Sequence, residues 1–376
     1  MKWSTPIVAY TKHGHGEEAL TYYKRMQNEG FSPNAFTFVS ILKACGIGRN
    51  ICRGKETHSK IVKEGFLQKD ILVATALMDM YCKCSELTSA REVFDGFPIR
   101  DVVIWTALIA GYVENKHVEE AFDGFNRIEC EGLCANAFTM SCTLKACGSI
   151  RAIDKGKRIH MRMIEDRHIY NGTLVANALM DMYVKSGSLA KTQQVFDELL
   201  ARDIVSWNVL ISGYSHHGNG DEALHCFYQM QEECHLPNSV TFLCTLKACN
   251  CIESVEKGKQ IHVQVVEQRL LERDVLVGNA LVDMYAKCGV LAKAEEMFDQ
   301  LPIRNVMTWN TLITGYSQHG HGEEALNCFQ WMKYEGLSPD AVTFLCILKA
   351  CGCLGLGDIG KEIHDQISKE GMHVKY

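Results

Sequence analysis

A chain of 376 residues usually splits into two or three globular domains, yet no Ser/Gly linker or shift in composition divides this one. Apolar residues make up 47%, enough for a continuous core, and no run of 18 apolar residues occurs, so no segment is suited to spanning a membrane. The formal net charge of −6 excludes a broadly basic surface, and no signal or transit peptide is visible at the start.

The first element contains "HGHGEEAL" at residues 13–20, and the same eight letters return at 319–326, 306 residues or three times 102 further on. Other landmarks keep this step. Tryptophan recurs at Trp3, Trp105, Trp207 and Trp309. The string LKAC ends at Cys45, Cys147, Cys249 and Cys351. The string DMY begins at Asp79, Asp181 and Asp283. A histidine follows a Gly-Lys pair at His58, His160, His262 and His364. A period held over the whole chain marks a repeat architecture.

Each period divides into pieces of 35, 36 and 31 residues, giving eleven units in a single array: 1–34, 35–70, 71–101, 102–136, 137–172, 173–203, 204–238, 239–274, 275–305, 306–340 and 341–376. Each unit is predicted as two helices joined by a tight turn. In 204–238, helix A is "WNVLISGYS" and helix B is "DEALHCFYQM", where Ala223, Leu224, Phe227 and Met230 form one apolar stripe. Gly218 and Gly220 are assigned to the turn, with Asp221 and Glu222 beginning helix B. Pro33, Pro98, Pro237, Pro302 and Pro339 fall near unit ends, where they stop a helix. The first unit is one residue short and no capping helix follows the last, so the chain reads as a fragment of a longer product. Stacked helix pairs of this kind bury a shared core and form a superhelix with a long concave face.

Two histidines and two glutamates in HGHGEE resemble a metal or acid/base site. The aligned segments, "NKHVEEAF" (115–122) and "HGNGDEAL" (217–224), replace one histidine each time with Asn115 or Asn219. His15 and Glu17 match half of a zinc-deaminase signature, and its Pro-Cys-x-x-Cys half is missing. HGHG is therefore read as an interhelical turn, and the glutamates as helix-dipole partners in the first turn of helix B. The histidines of the Gly-Lys strings are read as packing or surface residues. Among 18 cysteines no Cys-x-x-Cys occurs. Cys45, Cys147, Cys249 and Cys351 are expected inside helices as small apolar residues, with no disulfide framework and no zinc knuckle from pairs such as Cys351/Cys353. No metal, cofactor or catalytic group is expected.

The strings "DIVSWNVLISGYSHHGNGDEALHCFYQMQ…LPN", "VTFLCTLKAC…VEKGKQIH" and "NALVDMYAKCG…AEEMFDQLPIRN" resemble the pentatricopeptide repeat family, in the plant-type PLS subclass that cycles units of about these lengths, over the whole chain. The resemblance implies an all-α fold, a right-handed superhelical solenoid of stacked helix-turn-helix repeats. It implies binding of a single-stranded RNA, an organelle transcript, with one base per unit. It also implies a role in organelle RNA processing or C-to-U editing, in the mitochondrion or chloroplast, with editing-factor proteins as partners. A monomer that contacts no membrane and is no enzyme is expected; a deaminase would belong to a C-terminal tail or a partner. A protein-binding α-solenoid scaffold is the alternative.

In the family, the fifth residue of a unit and the last read the base. The chemistry is sensible: a terminal Asp only accepts and suits the ring N–H of guanine or uracil, whereas a terminal Asn donates and suits adenine or cytosine. A short hydroxyl at the fifth place leaves room for a purine; an Asn amide reaches a pyrimidine. The pairs are Ser4 with Asn34, Thr75 with Asp101, Thr106 with Asn136, Asn177 with Asp203, Asn208 with Asn238, Asn279 with Asn305, and Asn310 with Asp340. The plainer reading makes these residues N-caps and turn formers. The 36-residue units carry Val39, Ser141, Leu243 and Leu345 at the fifth place, and three of these cannot hydrogen-bond a base.

The second residue of every unit is apolar: Met1, Phe36, Leu72, Val103, Phe138, Leu174, Val205, Val240, Leu276, Met307 and Val342. The family places this side chain between successive bases, where stacking tolerates any sequence; a core stripe is the alternative. Lys12, Lys83, Lys185 and Lys287, near the end of helix A, correspond to lysines that touch phosphate in the family. Glu17, Glu18, Glu119, Glu120, Glu323 and Glu324 are expected on the outer face, leaving a thin basic track inside an acidic shell.

Overall fold

The computed structural model describes residues 3–98, 100–165 and 172–369; Met1 lies outside them, as does the side chain of Cys353. All regular structure among the described residues is helical, and the helices come in pairs. Two compact units share them, Met1–Ala201 and Arg202–Tyr376.

The first unit contains α1 (Ser4–Lys12), α2 (Gly16–Asn28), α3 (Ala35–Ile47), α4 (Ile51–Lys63), α5 (Ile71–Lys83), α6 (Leu87–Gly96), α7 (Val102–Glu114), α8 (Val118–Cys130), α9 (Ala137–Ser149), α10 (Ile153–Glu165), α11 (Thr173–Lys185) and α12 (Leu189–Asp197). The second contains α13 (Ile204–His216), α14 (Gly220–Glu232), α15 (Ser239–Cys251), α16 (Val255–Glu267), α17 (Val275–Lys287), α18 (Leu291–Gln300), α19 (Val306–Gln318), α20 (Gly322–Tyr334), α21 (Ala341–Leu354) and α22 (Gly357–Lys369). Within each unit, every odd-numbered helix packs on the next odd-numbered helix. Each even-numbered helix rests on its own partner, and α2 to α10 and α14 to α20 also rest on the A helix that follows. Within each compact unit the A helices thus form a wall, and the B helices form a second layer behind it.

Local sequence explains the hairpins. Asn or Asp caps most A helices, filling one of the N–H groups a helix start leaves unpaired. After α13 the chain turns through Gly218 at φ 80°, a left-handed conformation that costs glycine nothing. Gly220, assigned from sequence to that turn, is instead the first residue of α14, because its missing side chain lets the helix start sit against the Ala248 carbonyl. The expected stripe of α14 is buried, with Cys226 added to it.

The core is built from the letters that set the period. Trp105 and Trp309 are buried, stacked edge-on against Phe94 and Phe298 at 4.4 and 4.5 Å, and their indole N–H groups donate to Glu131 and Glu335. The strings GK…H and DMY turn out to be two halves of one junction. Gly54 makes room for Met80, Gly156 for Met182 and Gly258 for Met284. His58, His160 and His262 hydrogen-bond through Nδ1 to the hydroxyls of Tyr81, Tyr183 and Tyr285 at 2.7, 2.9 and 2.9 Å. These histidines are packing residues; His364 lies exposed beside Asp365.

The turn reading of HGHGEE also matches the geometry. His15 and His321 precede helix B, and the glutamates that follow occupy its exposed first turn. Each histidine faces a glutamate three residues on, Glu18 or Glu324. Among the described residues no group of three His, Cys, Asp or Glu is placed to hold a metal. The cysteines among them are free thiols, and burial pushes Cys45 and Cys249 up to about 12, far from reactive thiolate behaviour.

Candidate nucleic-acid interface

The outer surface of the A helices carries an apolar residue that a core would hide. Phe36, Leu72, Val103, Phe138 and Leu174 in the first compact unit, and Val205, Val240, Leu276, Met307 and Val342 in the second, are all between 47% and 71% exposed. The core alternative for this position is therefore wrong. Exposed apolar side chains recurring at one place in every unit suit a surface that a flat or apolar partner covers.

Beside this row stand the polar pairs. The last residue of each readable unit is the N-cap of the next A helix, and one oxygen does the capping. Oδ1 of Asn34, Asn136, Asn238, Asn305, Asp203 and Asp340 accepts from the backbone N–H three residues on, at 2.7–3.0 Å. Oδ1 of Asp101 accepts from Val103 and Ile104. The same oxygen takes the hydroxyl of Thr37, Thr139, Ser206, Thr241, Thr308 or Thr343. The capping explanation and the reading explanation thus concern different atoms. Oδ1 caps; the other atom, an NH2 in Asn and an oxygen in Asp, is where the two residues differ. Burial raises the Asp340 carboxyl, but hydrogen bonds from the Thr343 backbone, the Asn310 amide and the Thr343 hydroxyl outweigh it and hold the group below its ordinary value.

The fifth residue sits in the second turn of helix A. Asn208 and Asn310 donate directly to Oδ1 of Asn238 and Asp340 at 3.2 and 2.9 Å, and accept from Thr241 and Thr343. Ser4 and Thr106 meet their partners through Thr37 and Thr139, which bridge the two side chains. Thr75 turns back to the carbonyls of Ile71 and Leu72 and makes no bond to Asp101, because the bridging place is taken by apolar Ile104. Asn279 is 5% exposed, and neither its amide nitrogen nor its oxygen has a partner. A buried amide without partners carries a real cost. Asn177 is half-buried on α11 in the first compact unit, and Asp203 caps α13 in the second.

Two clefts open on this face. One, of about 460 Å³, is lined by Phe36, Val39, Lys43, Asp70, Leu72, Thr75 and Asp79. The other is lined by Ser4, Val8, Lys12, Asn34 and Phe36. In the 36-residue units Val39 and Leu243 are half-buried, Ser141 is buried and Leu345 is exposed. Gly172 ends the unit 137–172 without a side chain, so that slot has no reading pair.

Of the expected lysines, Lys12 is exposed. Lys83, Lys185 and Lys287 each pair with an aspartate one turn earlier, Asp79, Asp181 and Asp283, at 2.7–2.8 Å. Sequence reasoning missed the lysines of the LKAC strings, Lys43, Lys145, Lys247 and Lys349, all exposed. A signal was present: each stands seven residues, two helical turns, after the exposed second residue and so shares its face. The hydroxyls at the third place, which bond the capping oxygen, were also missed, though Thr or Ser recurs there at Thr37, Thr139, Ser206, Thr241, Thr308 and Thr343.

The fold and these strings have relatives. The model of the PPR repeat family matches residues 2–46, 100–149, 202–251 and 304–353, and that of the PPR repeat matches 73–97, 175–204 and 279–306. A chloroplastic pentatricopeptide repeat-containing protein of Arabidopsis thaliana is 37% identical over 373 residues, covering 96% of this chain and 42% of the relative. A mitochondrial one from the same plant is 34% identical over 370 residues, covering 98% and 53%. The chain spans about half the length of these curated relatives. Among solved structures, the pentatricopeptide repeat protein PPR10 in complex with an 18-nt psaJ RNA element superposes with a TM-score of 0.80 at 19% identity, covering 100% of this chain and 56% of that one. PPR10 from maize gives 0.67 at 20% identity, covering 98% and 58%. At those identities the structures speak for the solenoid fold of stacked helix hairpins, and the family models for membership: the chain belongs to the pentatricopeptide repeat family.

Proposed function

We propose that this chain binds single-stranded RNA with sequence preference, one base per unit, and directs processing or C-to-U editing of an organelle transcript. The observation that carries this reading is the exposed apolar residue recurring in unit after unit beside an exposed or half-buried Asn or Asp whose Oδ1 is taken up in capping. Bases stack on the first and present their pairing edge to the second. The RNA in the PPR10 complex and the organelle names of the relatives support it. The cycle of 35, 36 and 31 residues supports reading it as a member of the PLS subclass.

With the N-terminus at the 5′ side, the seven pairs give A-x-G-A-x-U-Y-x-Y-U-x, where Y is C or U and x is unread. Selection of bound RNA from a random pool, with a salt series, tests this. Enrichment of that pattern supports the reading. No enriched RNA at low salt favours the protein-binding scaffold. Editing-factor proteins are the expected partners, and the chain itself supplies recognition with no chemistry of its own.

A further inference from the structure

We infer that Lys43, Lys145, Lys247 and Lys349 hold the RNA phosphate backbone, so that the 36-residue units act as backbone clamps between pairs of base-reading units. This rests on the RNA-binding reading above.

The ninth residue of each unit lies two helical turns beyond the exposed second residue and on the same face. In the first and every later 35-residue unit it is uncharged: Val8, Ala110, Ser212 and Thr314. In the 31-residue units it is Asp79, Asp181 or Asp283, each neutralised by the lysine one turn on. In the 36-residue units it is always lysine. All four are exposed and take part in no ion pair among the described residues. Lys43 lines the 460 Å³ cleft together with Phe36 and Leu72, the apolar side chains of two successive units. Each 102-residue period thus offers one uncompensated positive charge at this level of the groove. It stands in the units whose fifth residue, at Val39, Leu243 and Leu345, has nothing to offer a base edge. An exposed ammonium beside a stacking surface meets the one part of RNA that is the same in every nucleotide.

The test uses the full chain and a 20-nt RNA carrying the element AUGAUUCUCUU flanked by uridines. Single-stranded binding loses affinity with a salt slope of ~0.7 per neutralised phosphate. The quadruple variant Lys43→Gln, Lys145→Gln, Lys247→Gln, Lys349→Gln is expected to flatten that slope by about 2.8. Across a fourfold rise in salt it then loses about fifty-fold less affinity than the parent. Base preference at the seven read slots stays unchanged, and the corresponding Lys→Arg variant keeps the parental slope. A parent that binds RNA with base preference while the Gln variant keeps its slope overturns the clamp and leaves the reading standing. Loss of slope only when Lys83, Lys185 and Lys287 are replaced does the same. A parent that binds no RNA overturns both. If the Gln variant does not fold, uncharged methylphosphonate linkages in the RNA decide the matter. Placed at slots 2, 5, 8 and 11 they must flatten the parental slope more than at slots 1, 4, 7 and 10; equal effects reject the clamp.

Discussion

Asn136→Asp separates the two jobs of a unit-end residue. Asn136 is exposed, and its Oδ1 accepts from the Thr139 N–H at 2.9 Å and the Thr139 hydroxyl at 3.0 Å. Aspartate keeps that oxygen, and Asn and Asp are about equal as N-caps, so stability should change by no more than a few tenths of a kcal/mol. The second atom changes from a donor NH2 to an acceptor oxygen. Facing the ring nitrogen of adenine it then sets one lone pair against another; facing guanine it meets a ring N–H and an amino group. A good polar contact to a base edge discriminates by about 1–3 kcal/mol, and each 1.4 kcal/mol is a factor of ten. The adenine-to-guanine preference at slot four should therefore shift about tenfold or more toward guanine. Binding isotherms of both proteins on the A and G versions of one RNA, at one salt concentration, give the ratio of ratios. The added negative charge weakens both RNAs alike and cancels. Equal weakening with no shift in preference would refute the reasoning and leave Asn136 as a cap alone.

Other perturbations have equally definite outcomes. Phe36→Ala and Phe138→Ala should each weaken RNA binding by about 1–3 kcal/mol with an unchanged melting temperature, since both rings stand in solvent; loss of thermal stability instead would return them to the core. Cys234 has φ 61° where Gly30, Gly132 and Gly336 occupy the matching turns, so Cys234→Gly should raise stability by about 1 kcal/mol, measured by urea unfolding. Burial holds His58, His160 and His262 below their ordinary imidazole range. Their neutral form is the folded one, so the unfolded chain binds more protons as the pH falls. Stability should be full above the ordinary pKa of about 6.5 and decline below it. Replacing the three by Phe should flatten that decline in melts between pH 7.5 and 5.5. Replacing His13 and His15 by Asn should leave RNA affinity unchanged and release no zinc on elemental analysis; stoichiometric zinc in the parent would overturn the turn reading.

Much of this was legible in the sequence because a repeat prints each contact several times. The period, the helix pairs and the turn at HGHG follow from aligned letters alone. What the letters could not show was which side of helix A faces out. Position two and Trp105 are both apolar, and only the packing of one A helix on the next hides Trp105 and leaves Val103 in solvent. Nor could they show that His58 reaches Tyr81, or that Gly54 accommodates Met80, since these meet across neighbouring hairpins. Nor could the letters show that a single atom, Oδ1, does the capping at Asn136 and Asp340. The lysines of LKAC stand among core letters, since Leu144, Ala146 and Cys147 around exposed Lys145 are buried.

The central claim is most directly tested by measuring affinity for every single-nucleotide variant of the eleven-slot RNA. The account predicts a pattern locked to the unit lengths: strong base dependence at slots 1, 3, 4, 6, 7, 9 and 10, and near indifference at slots 2, 5, 8 and 11. A flat profile, or sensitivity without that spacing, would contradict it.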